Sequence, residues 1–344
     1  MKKLFIWPLA GIIAGLLSLA SFNGCTKQEE AALKVAVEFN SHAVFAYLGE
    51  EMGWFEGAGL NITAYESYIS GMVLTSALAR GDIEIGYICL VPFINGFANA
   101  RIPMKIVAGT HKYGYGLAVN PDKIKTIGDL ARPDIRISCI HEGGATDIFF
   151  RRTIEEFRLD EDKILSRTLR MTPPKQILSL ETGQVDAVFL PEQWTTMAEE
   201  YGFRILLTSQ DIWPEMQGSV LVVSENLIND QPEVVRKLVR ISLKAKEWYR
   251  QHTEETAEIV ARQLSSAGSS FLSEERAGMT ANLGITPDIL SRSLSRMKFT
   301  TDIDPQIVQE TIDYLAELDY IKNSFPAKDI LELRFLNDEL AKKL

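Results

Sequence analysis

A two-lobe α/β fold is the architecture this sequence predicts, on three observations. Short β-type runs alternate with amphipathic helical segments, one helix–glycine–strand pattern occurs twice about 100 residues apart, and about 320 residues remain once an apolar leader is set aside. Alternation of this kind argues for parallel α/β units, and at roughly 150 residues per domain the remaining length makes two lobes. Composition agrees: 46% hydrophobic and 24% charged residues are values of a folded chain, too apolar for a disordered one.

The leader comes first. Residues 4–22 (LFIWPLAGIIAGLLSLASF) carry no charge and follow Lys2 and Lys3, the pattern of a membrane-directed segment. No other stretch approaches the ~20 apolar residues of a second span, which excludes a polytopic transporter. Without residues 1–24, which hold two lysines and no acid, the net charge moves from -10 to -12. Nucleic acid is therefore excluded as a partner, since binding a polyanion relies on a basic surface. The two lysines, the apolar run and Gly24 before Cys25 resemble a bacterial lipoprotein signal, in which the cysteine becomes the lipidated N-terminus. Phe22 and Asn23 depart from that pattern, and an uncleaved anchor helix is the alternative. Either way the expectation is an extracytoplasmic, membrane-tethered protein. The polar run TKQEE then serves as a short solvated tether. Cys89 and Cys139 remain, too few for a disulfide scaffold in a chain of this size, and are expected as buried free thiols.

The internal echo pairs LTSALARGDIEIGYI (74–88) with QILSLETGQVDAVFL (176–190). Leu78 matches Leu180, Gly81 matches Gly183, Ile83 matches Val185, Glu84 matches Asp186 and Tyr87 matches Phe189. Glycine suits the left-handed position that closes a helix, which gives both copies the same punctuation. Two further runs, YGYGLAVN (113–120) and QGSVLVVS (217–224), are glycine-flanked β-segments. They read either as strands within a lobe or as two crossings of a hinge. The expected division is a signal at 1–24, a tether at 25–33, one lobe from 34–114 and 219–344, and a second lobe at 115–218. PEVVRKLVRISLKAKEWYRQ and PQIVQETIDYLAEL are helices opened by a first-turn proline, expected to pack around the first lobe.

AYLGEEMGWFEGAGLNIT (46–63), ISGMVLTSALARGDIEIGYI (69–88), IPMKIVAG (102–109), IGDLARPDIRIS (127–138) and LETGQVDAVFLPEQW (180–194) occur in this order. They resemble the nitrate/sulfonate/taurine-binding group of ABC-transporter substrate-binding proteins, which includes binders of thiamine pyrimidine precursors. The resemblance runs from about Leu33 to Ser224 and weakens in the helical C-terminal part. It implies a periplasmic-binding-protein-like two-lobe (Venus flytrap) fold with two crossing strands as hinge. It further implies a monomer that traps a small solute between its lobes and delivers it to an ABC permease in the membrane.

In open α/β sheets ligands sit beyond the carboxyl ends of strands. That rule selects Asn40, Ser41 and His42 after the first strand, Ser70 and Gly71 at a helix start, and Cys89 and Leu90 after IEIGYI. In the second lobe it selects Gly143, Gly144, Ala145 and Thr146 within HEGGATD, and Glu192 and Trp194 after VDAVFL. The Gly-Gly run before a helix offers free N–H groups to a sulfonate, nitrate or carboxylate oxygen, although it is also an ordinary turn. Trp194 and Trp213 either stack on a flat ligand or close the core. Glu192 would repel a simple anion if it points inward, which favours an amine-bearing or N–H-bearing ligand; otherwise it faces solvent, the commoner place for a glutamate.

His42, His111 and His141 are expected just after strands, as are both cysteines, which leaves a transition-metal or metal-chelate receptor as the alternative. Their spacing matches no compact metal motif. No GxSxG, HExxH, GxxxxGK[ST] or GxGxxG occurs, and the clustered cysteines of the eukaryotic pyrimidine synthases in the wider superfamily are absent. The expectation is a binding protein without cofactor or catalysis, for transport or, alternatively, for ligand sensing at a membrane partner.

Overall fold

The computed structural model describes residues 32–271 and 284–342. The leader, the tether and Cys25 lie outside the described residues. Eleven described strands follow in chain order: β1 (Leu33–Glu38), β2 (Ile62–Tyr68), β3 (Ile85–Cys89), β4 (Met104–Lys112), β5 (Tyr115–Val119), β6 (Ile137–Cys139), β7 (Leu169–Arg170), β8 (Ala187–Pro191), β9 (Arg204–Thr208), β10 (Gln217–Ser224) and β11 (Lys298–Phe299). They build a six-stranded sheet in the order β11-β4-β10-β3-β1-β2 and a five-stranded sheet in the order β7-β6-β8-β5-β9. The central strands read as unbroken apolar runs because helices cover both faces, and β3 and β8 are buried along their whole lengths.

The echo occupies equivalent places in the two sheets. β3 has β1 parallel on one side and β10 antiparallel on the other, while β8 has β6 parallel and β5 antiparallel. The preceding helices, Gly71–Ala79 and Pro173–Glu181, are followed by Gly81 at φ 78 and Gly183 at φ 65, where a side chain would be strained. The paired acids do the same local job. Glu84 accepts the Lys34 amide at 2.8 Å and Asp186 accepts the Arg136 amide at 2.9 Å, each anchoring the neighbouring parallel strand near its start. Asp186 does more, because Arg136 Nε at 3.0 Å and Lys123 Nζ at 2.6 Å also close on it. Burial pushes its carboxyl upward, and the Arg136 and Lys123 hydrogen bonds outweigh that and hold it below the usual range.

Both glycine-flanked runs are strands within a sheet. YGYGLAVN contributes β5 to the second sheet and QGSVLVVS contributes β10 to the first, so the chain crosses between sheets at 113–114 and again at 209–216. The Tyr113 amide donates to Met216 O at 3.0 Å and ties the two crossings together. Gly114 sits at φ 98, where a Cβ would stand 2.8 Å from His42 Nε2, and a Cβ at Gly218 would stand 2.1 Å from His111 Cε1. Only bare backbone fits against this imidazole pair.

Of the C-terminal helices, Pro232–Gln251 packs against the helix Val44–Glu51 and β4, while Pro287–Ser295 lies between Thr253–Phe271, which itself packs on Val44–Glu51, and Glu192–Glu200, the helix that follows β8 in the second sheet. Arg292 and Arg296 project one turn apart toward that helix. Arg292 pairs with Glu199 and Glu200, and Arg296 reaches Glu199 at 2.8 Å and Glu192 at 3.3 Å. Glu192, 1% exposed, also accepts the Thr196 hydroxyl at 2.9 Å. Burial pushes its carboxyl up to about 7 against the pull of Arg296.

The two copies of the echo should differ in cost when the acid is removed. Asp186→Ala gives up the hydrogen bonds from Lys123, from the Arg136 guanidinium and from the Arg136 amide, and because both cationic side chains are half-exposed and stay solvated it is expected to lose about 2 kcal/mol, whereas Glu84→Ala gives up one hydrogen bond worth about 1 kcal/mol. Urea unfolding of both variants measures this, and equal losses would contradict it. Glu192 supplies a pH signature. Its folded pKa lies above its unfolded value of 4.5, so the native state binds the extra proton between them. The stability tied to it is present below pH 4.5 and is lost as pH rises through 7, by up to roughly 3 kcal/mol at 1.36 kcal/mol per unit. Thermal melts of wild type and Glu192→Gln at pH 5 and pH 8 should therefore show wild type relatively better at pH 5.

Candidate functional site

Both sheets have a strand whose parallel neighbours lie on opposite sides. In the first sheet β1 has β2 on one side and β3 on the other, and in the second β6 lies between β7 and β8. The helices that follow such strands diverge to opposite faces and leave a crevice beyond the carboxyl ends. In this chain the two crevices face each other and form one cavity. It is lined from the first sheet by Glu38, Phe39 and Asn40 at the end of β1, by Ile69 to Met72 after β2, and by Cys89 and Pro92 at the end of β3. From the second come Tyr115, Ile140, His141, Gly144 to Thr146, Pro173, Pro191 and Trp194. Space open to the centre of a water molecule measures ≈ 50 Å³. Since an enclosed water needs about 10–15 Å³ on that measure, the cavity has room for several waters or a solute of that size.

Asn40, Ser70, Gly71, Cys89, Gly144, Ala145, Thr146 and Trp194 all line this cavity. Ser41, His42, Leu90, Gly143 and Glu192 lie outside its lining. Ser41 donates its amide and hydroxyl to Gln193 at 3.1 and 3.2 Å, tying the first sheet's loop to the second sheet's helix. His42 Nε2 donates to Gly114 O at 2.9 Å, so its bare Nδ1 faces the Cys89 thiol at 3.5 Å, behind the cavity wall. Leu90 is fully buried in the apolar core, as the inward side of an amphipathic helix. Gly143 takes φ 70 in the turn, donates its amide to Asp147 at 3.1 Å and accepts Asn95 Nδ2 at 2.6 Å. Glu192 neither lines the cavity nor faces solvent, being held by Arg296 and Thr196.

His111 lies inside β4 and not after it, its ring tilted by 53° against His42 with centroids 4.4 Å apart. Burial pushes both imidazoles down, His111 to about 4, and keeps them uncharged at neutral pH. Among the described residues no group of three or more His, Cys, Asp or Glu is placed to hold a metal ion. Cys89 and Cys139 are buried and free, and burial raises both thiols, Cys139 to about 12. Neither is activated as a nucleophile. Trp194 is 1% exposed, packed on Phe39 at 6.4 Å, and forms part of the cavity wall, while Trp213 packs edge-on against Tyr314 outside it.

The polar groups of the cavity fall in two sets. On one side the helix Ala145–Glu156 begins, with Gly144 as its N-cap. Its first amides, Ala145 and Thr146, have no acceptor within the helix, and the dipole adds positive potential. The acid in its first turn, Asp147, is neutralised by Arg170 at 2.5 Å. On the other side stands Glu38, the last residue of β1, which the rule of looking after the strand passed over. No Lys or Arg lines the cavity among the described residues. Glu38 and Tyr115 carried a signal that alternation hid, since a charged or hydroxylated end residue in an otherwise apolar strand is costly unless it has a partner.

No helix among the described residues is long and apolar enough to cross a membrane. The fold is that of solved solute receptors. The alkanesulfonate-binding protein SsuA of Xanthomonas axonopodis pv. citri, bound to MOPS, superposes with a TM-score of 0.70 at 15% identity, over 88% of this chain and 98% of that one. The periplasmic nitrate-binding protein NrtA of Synechocystis PCC 6803 gives 0.73 at 15% identity, over 92% and 89%. In sequence, the nitrate import ATP-binding protein NrtC of Synechocystis sp. is 26% identical over 149 residues, 42% of this chain, and the match spans only 20% of NrtC. Residues 26–265 match the NMT1-like family, and with more than half of its length in that match the chain belongs to the NMT1-like family.

Proposed function

We propose that the chain is the solute-binding component of an ABC import system, held outside the cytoplasm by lipid on Cys25, that carries one small solute to a permease as a monomer. The observation that carries this reading is the single cavity at which two switch points meet. A site made half from each sheet gives ligand contacts that exist only when the two halves are together. Those differential contacts are what a hinge closure needs as its driving force. The moving units are residues 34–112 with most of 217–342 against residues 115–208, linked at 113–114 and 209–216. Buried imidazoles held neutral and thiols raised by burial, the Cys89 thiol beside His42 included, support binding without chemistry.

Within the cavity the start of the helix Ala145–Glu156 is the place for an oxyanion. The Ala145 and Thr146 amides, the Thr146 hydroxyl beside Cys139, and His141 surround it. Hydrogen bonds to a charged group contribute about 1.5–3 kcal/mol each, so three at the upper end, about 9 kcal/mol, reach the roughly 8.2 kcal/mol of micromolar binding without a cationic side chain.

A thermal-shift screen with sulfonates, nitrate, bicarbonate, pyrimidines and divalent metals tests the receptor reading, because a solute at 100 times its Kd adds about 2.7 kcal/mol of stability. Calorimetry then locates the head group. Thr146→Val should weaken binding by about one such hydrogen bond. Gly144→Val, whose Cβ already meets His141 O at 3.2 Å, should crowd the approach. Unchanged affinity in both variants would move the oxyanion to Ser70 and Gly71.

A further inference from the structure

The turn that leads into the helix Ala145–Glu156 is held by side chains of the other half of the molecule. Gly143 and Gly144 have no side chain to limit φ and ψ, so the peptide between them is free to take several orientations, and Gly143 already sits at φ 70. Asn95, buried in the helix Leu90–Ala100, donates Nδ2 to Gly143 O at 2.6 Å. Asn99, one turn on, donates to Asn95 Oδ1 at 3.4 Å and to Tyr320 O at 2.9 Å. The Tyr320 hydroxyl donates to Asp147 Oδ2 at 2.5 Å, the same oxygen that accepts the Gly143 amide at 3.1 Å. Gly143 thus has its carbonyl fixed by Asn95 directly and its amide fixed through an oxygen that Tyr320 holds. Tyr320 belongs to the first half, since it follows the helix Pro305–Glu317 and the chain beyond it joins β4, where the Glu332 amide donates to Ile106 O at 2.8 Å. Arg151 over the Tyr320 ring at 5.6 Å and Arg152 over the Tyr314 ring at 5.3 Å continue the contact along Ala145–Glu156.

We propose that Asn95 and Tyr320 are positioning residues for the cavity wall: they hold the turn 141–146 in one shape from across the cleft, so that the second sheet's wall is complete only when the two halves are together. The inference rests on the solute-receptor reading and names the residues that couple its site to closure. Asn95 and Tyr320 stand outside the cavity lining, so their effect on a solute passes through the turn, of which His141 and Gly144 to Thr146 are lining residues. A glycine pair released from Asn95 spreads over several orientations, and a site whose competent shape is one population among several binds with an affinity reduced by that fraction. Asp147 adds a charge argument. It is 0% exposed in the first turn of the helix, where Arg170 and the Tyr320 hydroxyl satisfy its carboxylate. Opening the halves withdraws the Tyr320 donor and leaves that acid less compensated beside the Ala145 and Thr146 amides.

Amide hydrogen exchange on the full chain, with no solute added, tests the hold directly. In Asn95→Ala and in Tyr320→Phe, exchange at residues 143–147 should rise about tenfold while β8 in the same sheet keeps its wild-type rate. Tyr320→Phe keeps the ring beneath Arg151 and the backbone oxygen that Asn99 reaches, so the test stays intact if Asn95→Ala folds poorly. Nitrate, ethanesulfonate and bicarbonate then serve as probes. Whichever binds wild type should bind Tyr320→Phe about threefold or more weakly, with the loss in faster dissociation. Wild-type exchange at 143–147 in both variants, an equal rise there and in β8 in both, or unchanged affinity where exchange has risen overturns the positioning role and leaves the receptor reading standing. If none of the three probes binds wild type, the oxyanion reading of the turn fails instead, and the exchange comparison still decides whether the turn is held from across the cleft.

Discussion

Each sheet contains one strand that must send its connections both ways. β1 delivers the chain to β2 on one side and lies against β3 on the other, and β6 stands in the same relation to β7 and β8. No helix can roof the carboxyl end of such a strand, so the sheet is open there. The residues at those ends, Glu38 to Asn40 and Ile140 to His141, become cavity wall, and the helix starts at Gly71 and Ala145 point their amides into the same space. Chemistry at the site follows from this topological opening, whatever the solute.

The cavity is mechanically joined to the crossings. Glu38 is bonded to Cys89, Cys89 stands against His42, and His42 donates to Gly114 O in the first crossing. His111 fills the other side, packed where Gly218 lacks a side chain. Because burial holds both imidazoles neutral, this spine carries no charge at neutral pH and can pack at van der Waals distance. Ser41 on Gln193, and Arg292 and Arg296 on Glu192–Glu200, add contacts between the two halves away from the hinge. Asn95 on Gly143 O and the Tyr320 hydroxyl on Asp147 add further contacts, so the halves touch at several separated places.

Much of this was legible in the sequence, for local reasons. Helix–glycine–strand punctuation is encoded within fifteen residues, so the echo located β3 and β8 and their matching acids. The rule for strand ends found Asn40, Cys89 and Thr146 because their environment is set by the adjoining backbone. What failed was set at a distance. Glu192 is fixed by Arg296, more than a hundred residues on, and no local pattern announces that pair. Leu90 illustrates the helical period, since one position past the strand end turns from cavity to core. His111 was placed one step too late because β4 runs on to Lys112. Glu38 was overlooked since its side chain belongs to the last strand residue, yet the end of a strand reaches the crevice as readily as the loop beyond it.

The claim that one solute is held by both switch points at once is tested most directly by amide hydrogen exchange with and without the tightest binder of the thermal-shift panel. Binding should slow exchange together at residues 38–41, 70–72 and 89–90 in the first half and at 141–146 in the second. Protection confined to one of those halves, or centred instead on the surface groove of Arg240, Lys244 and Trp248, would contradict the account.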